Sequence, residues 1–519
     1  MWDKIKNFFK SESEKIIDRL DFNQTEVVSS NLKNNIDYLK NNLAPSSDLV
    51  FRSFHLGRKK QIDAEVIYFN ELISADILQK EVLRSLMFDL ELDSTNRTVK
   101  KEINDTLINS TIPIGELETT QSLTKSLEKL LSGEVILFIE GLPKAFILGI
   151  KELEKREVQT PQIEAVTRGP QESFIEPLST NISLIRRRLK DNNLMIDIQQ
   201  VGERTKTDLA IIYIDDIADQ NIIEEINSRL DNIQTDGVLE IGYINAFFQD
   251  NWASPFPQFQ TTERPDKALA NLLEGKVVLL LDGSPFASIM PTTFIQFLQS
   301  PEDYYDHFYI ASLLRLFRVV AVLITVSLPA IYISLVSFHH ELLPKDLALS
   351  IATAREGVPF PSVLEAFIME ISLEFLREAG IRLPGPIGQT IGIVGGLILG
   401  EAAVDAGLVS PPMVIVVALT AIASFVIPSY SATIPLRLLR FSMMLLAAVF
   451  STYGLMIGWL LILIHLCSLE SLGVPYFAPF APIKLADLKD SFIKVPHKLM
   501  NKRPESTPTQ QKKRQPDKE

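Results

Sequence analysis

Hydrophobic and polar positions divide the chain into two unlike halves. Residues 1 to about 310 mix charged and apolar positions as soluble proteins do, whereas long apolar runs dominate from Leu316 onward. A helix needs about 20 apolar residues to cross a bilayer, and these runs are of that order. The pattern predicts a soluble α/β half followed by an α-helical multipass membrane domain.

The soluble half repeats one pattern after an interval of 142 residues, the spacing from Gly133 to Gly275. Each copy contains a short continuous apolar run, 135–139 or 277–281, of the kind found in strands that are buried on both faces. An acidic residue and a glycine follow each run, which predicts a β-hairpin. Periodic stretches between the strands indicate amphipathic helices. We therefore expect two tandem related α/β subdomains.

Changes in composition set the predicted boundaries. These are an N-terminal helix at 1–30, the first subdomain at 31–155, a linker at 156–180, the second subdomain at 181–305, the membrane domain at 306–480 and a basic, disordered tail at 481–519. Spans are expected near 316–338, 386–404, 411–427 and 441–466, with a membrane-associated helix at 360–380. The tail and the soluble half are both expected in the cytoplasm, which requires an even number of crossings. Whether the helix at 360–380 adds a crossing stays open.

One apolar stretch, GPIGQTIGIVGGLILGEAAVDAG at 385–407, carries a glycine at every fourth position. These residues are Gly388, Gly392, Gly396 and Gly400. In lipid, small residues allow helix backbones to approach closely, which is a main source of helix association. We predict helix packing through this face, either against another span of the same chain or against a second copy.

Acidic residues lie in or beside the same apolar segments. Five carboxylates and one amide are candidates for lining a path or attracting ions: Glu365, Glu370, Glu374, Gln389, Glu401 and Asp405. An unpartnered charge at membrane depth costs about 2.5–3.5 kcal/mol even on insertion scales, and only Arg377 and Arg382 are near along the chain. A surface helix with its acids toward water would also explain the pattern. The alternative is a helix that lines an aqueous path.

Composition excludes several kinds of chemistry. The chain has 519 residues, a formal charge of −13 and a single cysteine, Cys467, so an intramolecular disulfide is impossible. It contains no phosphate-binding loop, zinc-binding histidine pair or nucleophile elbow of the usual patterns. The pair His339-His340 is too small a cluster to predict a metal site. We expect no enzyme activity, catalytic residue, cofactor, metal or nucleic-acid partner.

Several segments carry a resemblance to a known family. They are EAVTRGPQESFIEPLSTNISLIRRRL, LLDGSPFA, PEDYY, IPSYS and the long block REGVPFPSVLEAFIMEISLEFLREAGIRLPGPIGQTIGIVGGLILGEAAVDAGLVSPP. They occur in order between about residues 130 and 480, and the long block is highly specific. The chain resembles the A subunits of GerA-type spore germinant receptors.

The resemblance implies a multipass protein of the spore inner membrane. Such A subunits assemble with a permease-like B subunit and a lipoprotein C subunit, contact membrane lipid, and are thought to oligomerise into a nutrient-gated cation path. Two other functions stay open. One is a secondary transporter, which normally shows repeats within its membrane half. The other is a membrane-anchored sensor or scaffold whose soluble half binds the small molecule.

Overall fold

A computed structural model describes residues 26–57, 62–89, 117–150, 160–383, 395–396 and 398–514. Most of the predicted N-terminal helix lies outside these residues. So do Gly388, Gln389 and Gly392 of the glycine-rich stretch.

The described part of the soluble half contains ten strands, six regular α-helices and a further helical segment at 75–89 that packs on one face of the first sheet. The first set is α1 (Leu32–Asn42), β1 (Leu49–Leu56), β2 (Ile62–Phe69), β3 (Leu117–Thr120), α2 (Leu123–Leu131), β4 (Val135–Ile139) and β5 (Ala145–Leu148). The second set is α3 (Leu178–Arg188), β6 (Leu194–Val201), β7 (Thr207–Ile214), α4 (Gln220–Asp231), α5 (Ile241–Phe248), β8 (Gln260–Thr262), α6 (Pro265–Leu272), β9 (Val277–Leu281) and β10 (Ala287–Met290). Side-chain caps begin several of the helices, as when Ser122 Oγ accepts the Lys125 amide at the start of α2.

The two sets form the same sheet twice. The strand orders are β1-β2-β4-β5-β3 and β6-β7-β9-β10-β8, with antiparallel neighbours throughout. Gly141 and Gly283 follow the equivalent strands β4 and β9 with φ of 86° and 83°, a backbone region that favours glycine. The predicted duplication and both hairpins are confirmed.

Both central strands are buried on the two faces of their sheets. Every residue of β4 and β9 is buried, and a separate apolar cluster covers each face. Continuous apolar strands are typical of parallel sheets. Here the same pattern occurs in antiparallel strands because helices cover both faces.

An ion pair joins the two subdomains. Arg186 on α3 donates to both carboxylate oxygens of Asp48 at 2.8 Å, and one of its amino groups also donates to Ser46 Oγ at 2.8 Å. The guanidinium lies 4.4 Å from the centre of the Phe69 ring. The amide of Ser47 bonds to the Ile196 carbonyl on the edge strand β6. The first subdomain is thereby fixed to the edge of the second sheet.

The described part of the helical half contains both short and long helices. These are α7 (Glu302–Tyr305), α8 (Phe308–Ser337), α9 (Lys345–Arg355), α10 (Ser362–Arg382), a helical stretch at 398–405, α11 (Pro411–Val426) and α12 (Tyr430–Ser468). Two short strands follow, β11 (Glu470–Ser471) and β12 (Val474–Pro475). Two of the described helices, α8 and α12, are long and apolar enough to cross a membrane by length and composition, and α11 is a shorter apolar helix.

The helix α12 is a hairpin of two arms, 430–450 and 452–468. Ser451 has φ 55° and ψ −135°, so the helix breaks there. A Cβ at Gly454 would overlap the Leu446 carbonyl oxygen, and one at Gly458 would overlap the Met443 sulfur. Contacts between residues equally far from Ser451 show that the arms are antiparallel. The predicted single span at 441–466 is therefore wrong: that run is divided between two arms.

The long helices alternate in direction relative to the soluble half. The first, α8, starts near the soluble half and ends where Ser334 bonds to Ser451 and Thr452. The second arm of α12 then returns, since His465 reaches Ser254 of the soluble half. The helix α10 starts at the far end, where Ser362 bonds to Ser337. The first arm of α12 lies antiparallel to α10 because its Arg437 and Arg440 meet Glu374 and Glu370 in reverse order.

The described residues of the C-terminal tail bond to the second subdomain, whereas the sequence predicts disorder for 481–519. The amide of Gln510 bonds to the Ile217 carbonyl at 2.9 Å. Arg514 pairs with Glu274, and the Arg503 side chain donates to the Leu273 carbonyl. The basic composition does not predict these contacts, in which cations of the tail bond to carboxylates and carbonyls of the second subdomain.

Candidate functional site

A cluster of charged side chains lies among the helices of the second half. It is formed by Glu370, Glu374 and Arg377 on α10 and by Arg437 and Arg440 on the first arm of α12. We call these five residues the central cluster. With three guanidinium groups and two carboxylates, its formal charge is +1.

Glu370 and Arg440 form the innermost pair. Both side chains have no exposed surface, and Arg440 Nη1 lies 2.9 Å from Glu370 Oε2. Nevertheless, neither carboxylate oxygen of Glu370 makes a hydrogen bond of acceptable geometry with the described residues, and neither do Nε and Nη1 of Arg440. Buried charges normally satisfy their bonding groups, so this pair is held together by charge with poor orientation.

Glu374 holds the rest of the central cluster together. Arg440 Nη2 donates to Glu374 Oε1 at 2.8 Å, while Arg437 contacts both oxygens. Arg377 lies 4.0 Å from the same carboxylate and donates to Ser424 Oγ on α11 at 3.0 Å. One carboxylate therefore links α10 to the first arm of α12, and Arg377 extends the contact to α11.

The central cluster lies midway along its helices. Glu370 and Glu374 are eight and twelve residues from the start of α10 at Ser362, or about 12 and 18 Å at 1.5 Å per residue. The whole helix spans about 31 Å, which is close to the thickness of a bilayer's hydrocarbon core. In a helix that crosses a bilayer, ionisable side chains at such a position are rare and expensive; α10 itself is not among the described helices that are apolar enough to cross by length and composition.

Glu365 forms a separate buried site one turn nearer the far end. Arg355 Nη2 lies 2.9 Å from its carboxylate, and the amide and hydroxyl of Ser410 donate to Oε2 at 3.1 and 2.8 Å. This carboxylate is fully bonded. It ties the segment after α9 to the beginning of α11, a role that the sequence did not suggest.

Of the remaining predicted residues, those within the described part of the 385–407 stretch, here called the glycine-rich leg, are Gly396, Gly400, Glu401 and Asp405. Glu401 and Asp405 are exposed. A Cβ at Gly396 would meet nothing within 4 Å, whereas one at Gly400 would make an ordinary contact of 3.4 Å with Val414. The close approach within the chain occurs at Gly395, where a Cβ would lie 2.7 Å from Leu376. Thus Gly396 faces outward in the single chain.

A second charged cluster lies where α8 leaves the soluble half. Asp303 accepts from Arg315 Nε at 3.0 Å and from Arg318 Nη1 at 2.7 Å. Asp490 of the tail also accepts from Arg315 and from Tyr304 Oη at 2.8 Å. Burial and the neighbouring Asp490 carboxylate raise the pKa of Tyr304 well above its usual value. This cluster connects the second subdomain, the first long helix and the tail.

The main arginine partners of the carboxylates were not predicted from the sequence. Only Arg377 and Arg382 were expected as partners, whereas Arg355, Arg437 and Arg440 supply the main contacts. Arg437 and Arg440 are three apart in an apolar run, a spacing that places both on one helix face. That spacing was the available signal.

A second missed feature is the glycine pair of α12. Gly454 and Gly458 have the same spacing of four as the residues of the 385–407 stretch. Their contacts lie within the hairpin. The small-residue pattern that supports close helix packing was therefore present in the sequence.

Comparison with known proteins gives the family. Residues 37–506 match the Bacillus/Clostridium GerA spore germination protein family, and the chain belongs to that family. It is 40% identical over 489 residues to spore germination protein KA of Bacillus subtilis (strain 168), covering 94% of this chain and 89% of that protein. Spore germination protein GerLA of Bacillus cereus is 41% identical over 467 residues, covering 90% and 94%.

Two further similarities are of other kinds. The uncharacterized membrane protein YfkQ of Bacillus subtilis (strain 168) is 40% identical over 489 residues, covering 94% of each chain. The crystal structure of the N-terminal domain of the A subunit of the Bacillus megaterium spore germinant receptor GerK3 is 29% identical, covers 52% of this chain and 98% of that chain, and has a TM-score of 0.40.

Proposed function

We propose that this protein is a membrane subunit of a nutrient germinant receptor and that it forms, with further copies, a ligand-gated cation path that triggers spore germination. The observation that carries the proposal is the central cluster. It places five ionisable side chains midway along α10 and the first arm of α12, and Glu370 and Arg440 face each other without a well-oriented hydrogen bond between them. A permease-like subunit and a lipoprotein subunit are the expected partners within the spore inner membrane.

We propose six membrane crossings, a number supported by the alternating directions of α8, α10 and the two arms of α12. These are α8, α10, the leg that contains 398–405, α11 and the two arms of α12. Six is even, so the soluble half and the tail would lie on one side of the membrane, and the basic composition of the tail favours the cytoplasmic side. The division of α12 at Ser451 supplies the crossing that a count of apolar runs lacks.

Homo-oligomerisation is proposed through the glycine-rich leg. A Cβ at Gly396 would meet none of the described residues within 4 Å, whereas the glycines of the α12 hairpin are already in close contact. Exposed Glu401 and Asp405 follow on the same leg. In a ring of copies they would form acidic rings, which attract cations to a pore mouth.

Cation release from dormant spores tests the path. A spore that carries Glu370→Gln in this subunit should release cations at a changed rate after nutrient addition, because the substitution removes one charge from the central cluster while keeping its shape. The receptor should still assemble, as measured by co-purification of its subunits. Unchanged release with normal assembly would contradict the proposal.

The matched control is Glu378→Gln, two turns further along α10. Glu378 is exposed and pairs only with Arg382 at the next turn among the described residues. Its neutralisation should leave release unchanged. If both variants had the same effect, general loss of acidic charge would explain the result better than a path.

A cavity favours the sensor as a second candidate function. It has a volume of about 420 Å³ and lies between the second subdomain, the α7 segment and the tail, with Asp266, Tyr304, Tyr305 and Arg503 among its lining residues. Pockets for small molecules are commonly of this size. Calorimetric titration of the purified chain with candidate nutrients would support this function if one bound saturably, and binding that required another subunit would count against it.

A further inference from the structure

We propose that residues 483–499, here called the collar, dock on the anionic lipid headgroups of the leaflet that faces the soluble half. The collar follows the helical half and belongs to the segment that the sequence predicts as a disordered tail. The inference rests on the proposed membrane crossing of α8, and the experiment below separates the two.

The collar is fastened to the first turns of α8. Arg315 Nη1 lies 2.9 Å from Asp490 Oδ1. The Lys494 amide donates to Ser312 Oγ at 3.0 Å, and that hydroxyl donates to the Lys494 carbonyl at 3.2 Å. Its position along α8 is therefore defined within about one helical turn.

The length of α8 gives the depth of these turns. The helix has 30 residues and is about 45 Å long. A hydrocarbon core is about 30 Å thick, and the bilayer with its headgroups is about 40–45 Å thick. The helix is thus about 15 Å longer than the hydrocarbon core, and its first turns are bonded through Arg315 and Arg318 to Asp303 at the base of the soluble half, so they form the part that extends beyond the core. The collar consequently lies at headgroup depth.

Several large apolar side chains of the collar are mostly exposed in the part of the chain that the structure describes. Ile483, Leu485, Ile493 and Leu499 are 74%, 76%, 67% and 62% exposed. The first turns of α8, to which the collar is bonded, also expose apolar side chains, among them Leu313 and Leu316. Lipid is the expected occupant because the exposed apolar side chains of the collar adjoin a helix that is proposed to enter the bilayer.

Cations of and beside the collar complement an anionic surface. Lys489, Lys498 and the adjoining Lys502 are exposed, and none of them pairs with a carboxylate of the part of the chain described. Basic residues next to a membrane bind anionic leaflets through screened attraction, and interfacial segments combine such residues with buried apolar groups. The collar has both features.

Spin-label accessibility in nanodiscs tests the depth. Cys467 is exposed and is first replaced by serine in the full chain. A nitroxide is then attached at Ile493→Cys, at Leu323→Cys on the exposed side of α8, or at Val27→Cys, which is 66% exposed on the first subdomain. Collision with oxygen and with a water-soluble nickel complex is measured in discs of phosphatidylcholine alone and of phosphatidylcholine with phosphatidylglycerol.

The expected result is a graded one. The oxygen-to-nickel collision ratio at Ile493 should be severalfold above that at Val27, below that at Leu323, and higher with phosphatidylglycerol than without it. Replacing Lys489, Lys498 and Lys502 by glutamine should abolish the lipid dependence. The same replacement of Lys33, Lys190 and Lys206, which are exposed on the soluble half, should preserve it.

Three results would overturn the proposal. Nickel access at Ile493 equal to that at Val27 in both lipids would place the collar in water. Broadening between two Ile493 labels would show that a second copy covers the collar. An oxygen-to-nickel collision ratio at Ile493 that is the same with and without phosphatidylglycerol would show that the collar does not prefer anionic lipid. In each case protection at Leu323 leaves the proposed crossing intact, whereas nickel access at Leu323 contradicts the crossing itself.

Discussion

Two fully buried carboxylate–guanidinium contacts, one in each half, are built very differently. In the soluble half, Arg186 contacts both oxygens of Asp48, shares Ser46 and packs on Phe69. In the helical half, Arg440 lies 2.9 Å from Glu370, but the facing atoms lack good hydrogen-bond geometry.

The difference concerns how firmly each pair fixes its elements. A bidentate guanidinium–carboxylate contact has a narrow range of geometry, so the Asp48–Arg186 pair holds the two subdomains in one arrangement. A poorly oriented pair in a low-dielectric setting retains attraction without directional bonds. Such a pair constrains the relative orientation of α10 and the first arm of α12 less than a bidentate pair would, although Glu374 still bonds the two helices.

The largest expected effect is on the Asp48–Arg186 pair. Arg186→Met should lower the local free energy of opening by about 3–5 kcal/mol, because it leaves the Asp48 charge buried without its partner. Hydrogen exchange of the backbone amides in β6 and at 44–47 measures this opening. The double variant Arg186→Met/Asp48→Leu should recover much of the loss.

The neighbouring Arg187 provides the control for that prediction. Its side chain is 46% exposed, and its closest approach to Glu172 is a loose contact of 3.8 Å. Arg187→Met should therefore change the local free energy of opening by less than about 1 kcal/mol. If the two single variants were equally destabilised, the pair would not be what joins the subdomains.

Repetition and turn chemistry made the soluble half predictable from sequence. The matching glycines at 141 and 283 both take positive φ, and the apolar runs before them are the central strands. These features are local, so a short window of sequence contains most of the information that determines them.

Contacts between distant segments were not predictable in the same way. Arg440 meets Glu370 across 70 residues, and nothing near either residue specifies the partner. The turn at Ser451 lacks glycine or proline at the break itself, although Gly454 allows the arms to approach. The helical half therefore appeared as fewer, longer spans, and its acids appeared to lack partners.

Lys276 is a third buried ionisable group, and its hydrogen-bond partner is a neutral side chain where the two pairs above have a carboxylate. Lys276 is fully buried at the start of β9 and donates to Asn271 Oδ1 at 2.7 Å. Burial lowers its pKa to about 8 from a usual value of 10.5. Between pH 8 and 10.5 the unfolded chain binds more protons at this residue than the folded chain, so stability should rise with pH in that window.

The expected gain across this window is up to about 3 kcal/mol. Thermal unfolding of the full chain between pH 7.5 and 10.5 measures it as the difference from Lys276→Met. That variant should be more stable at pH 7.5 and should lose the rise. Lys33→Met, at an exposed position, should keep the rise. Parallel pH curves for the wild type and Lys276→Met would contradict the prediction.

The smallest expected effect on stability is at Glu370. In Glu370→Gln, Arg440 keeps its 2.8 Å hydrogen bond to Glu374, so no guanidinium is left without a carboxylate. The lost attraction came from a contact with poor hydrogen-bond geometry, and a neutral amide is cheaper to bury than a carboxylate. The local opening free energy of α10 should change by about 1 kcal/mol or less, measured by hydrogen exchange in nanodiscs. A loss of several kcal/mol would show that Glu370 and Arg440 hold the helices as firmly as Asp48 and Arg186 hold the subdomains, and the central cluster would then be a structural joint with no freedom to gate.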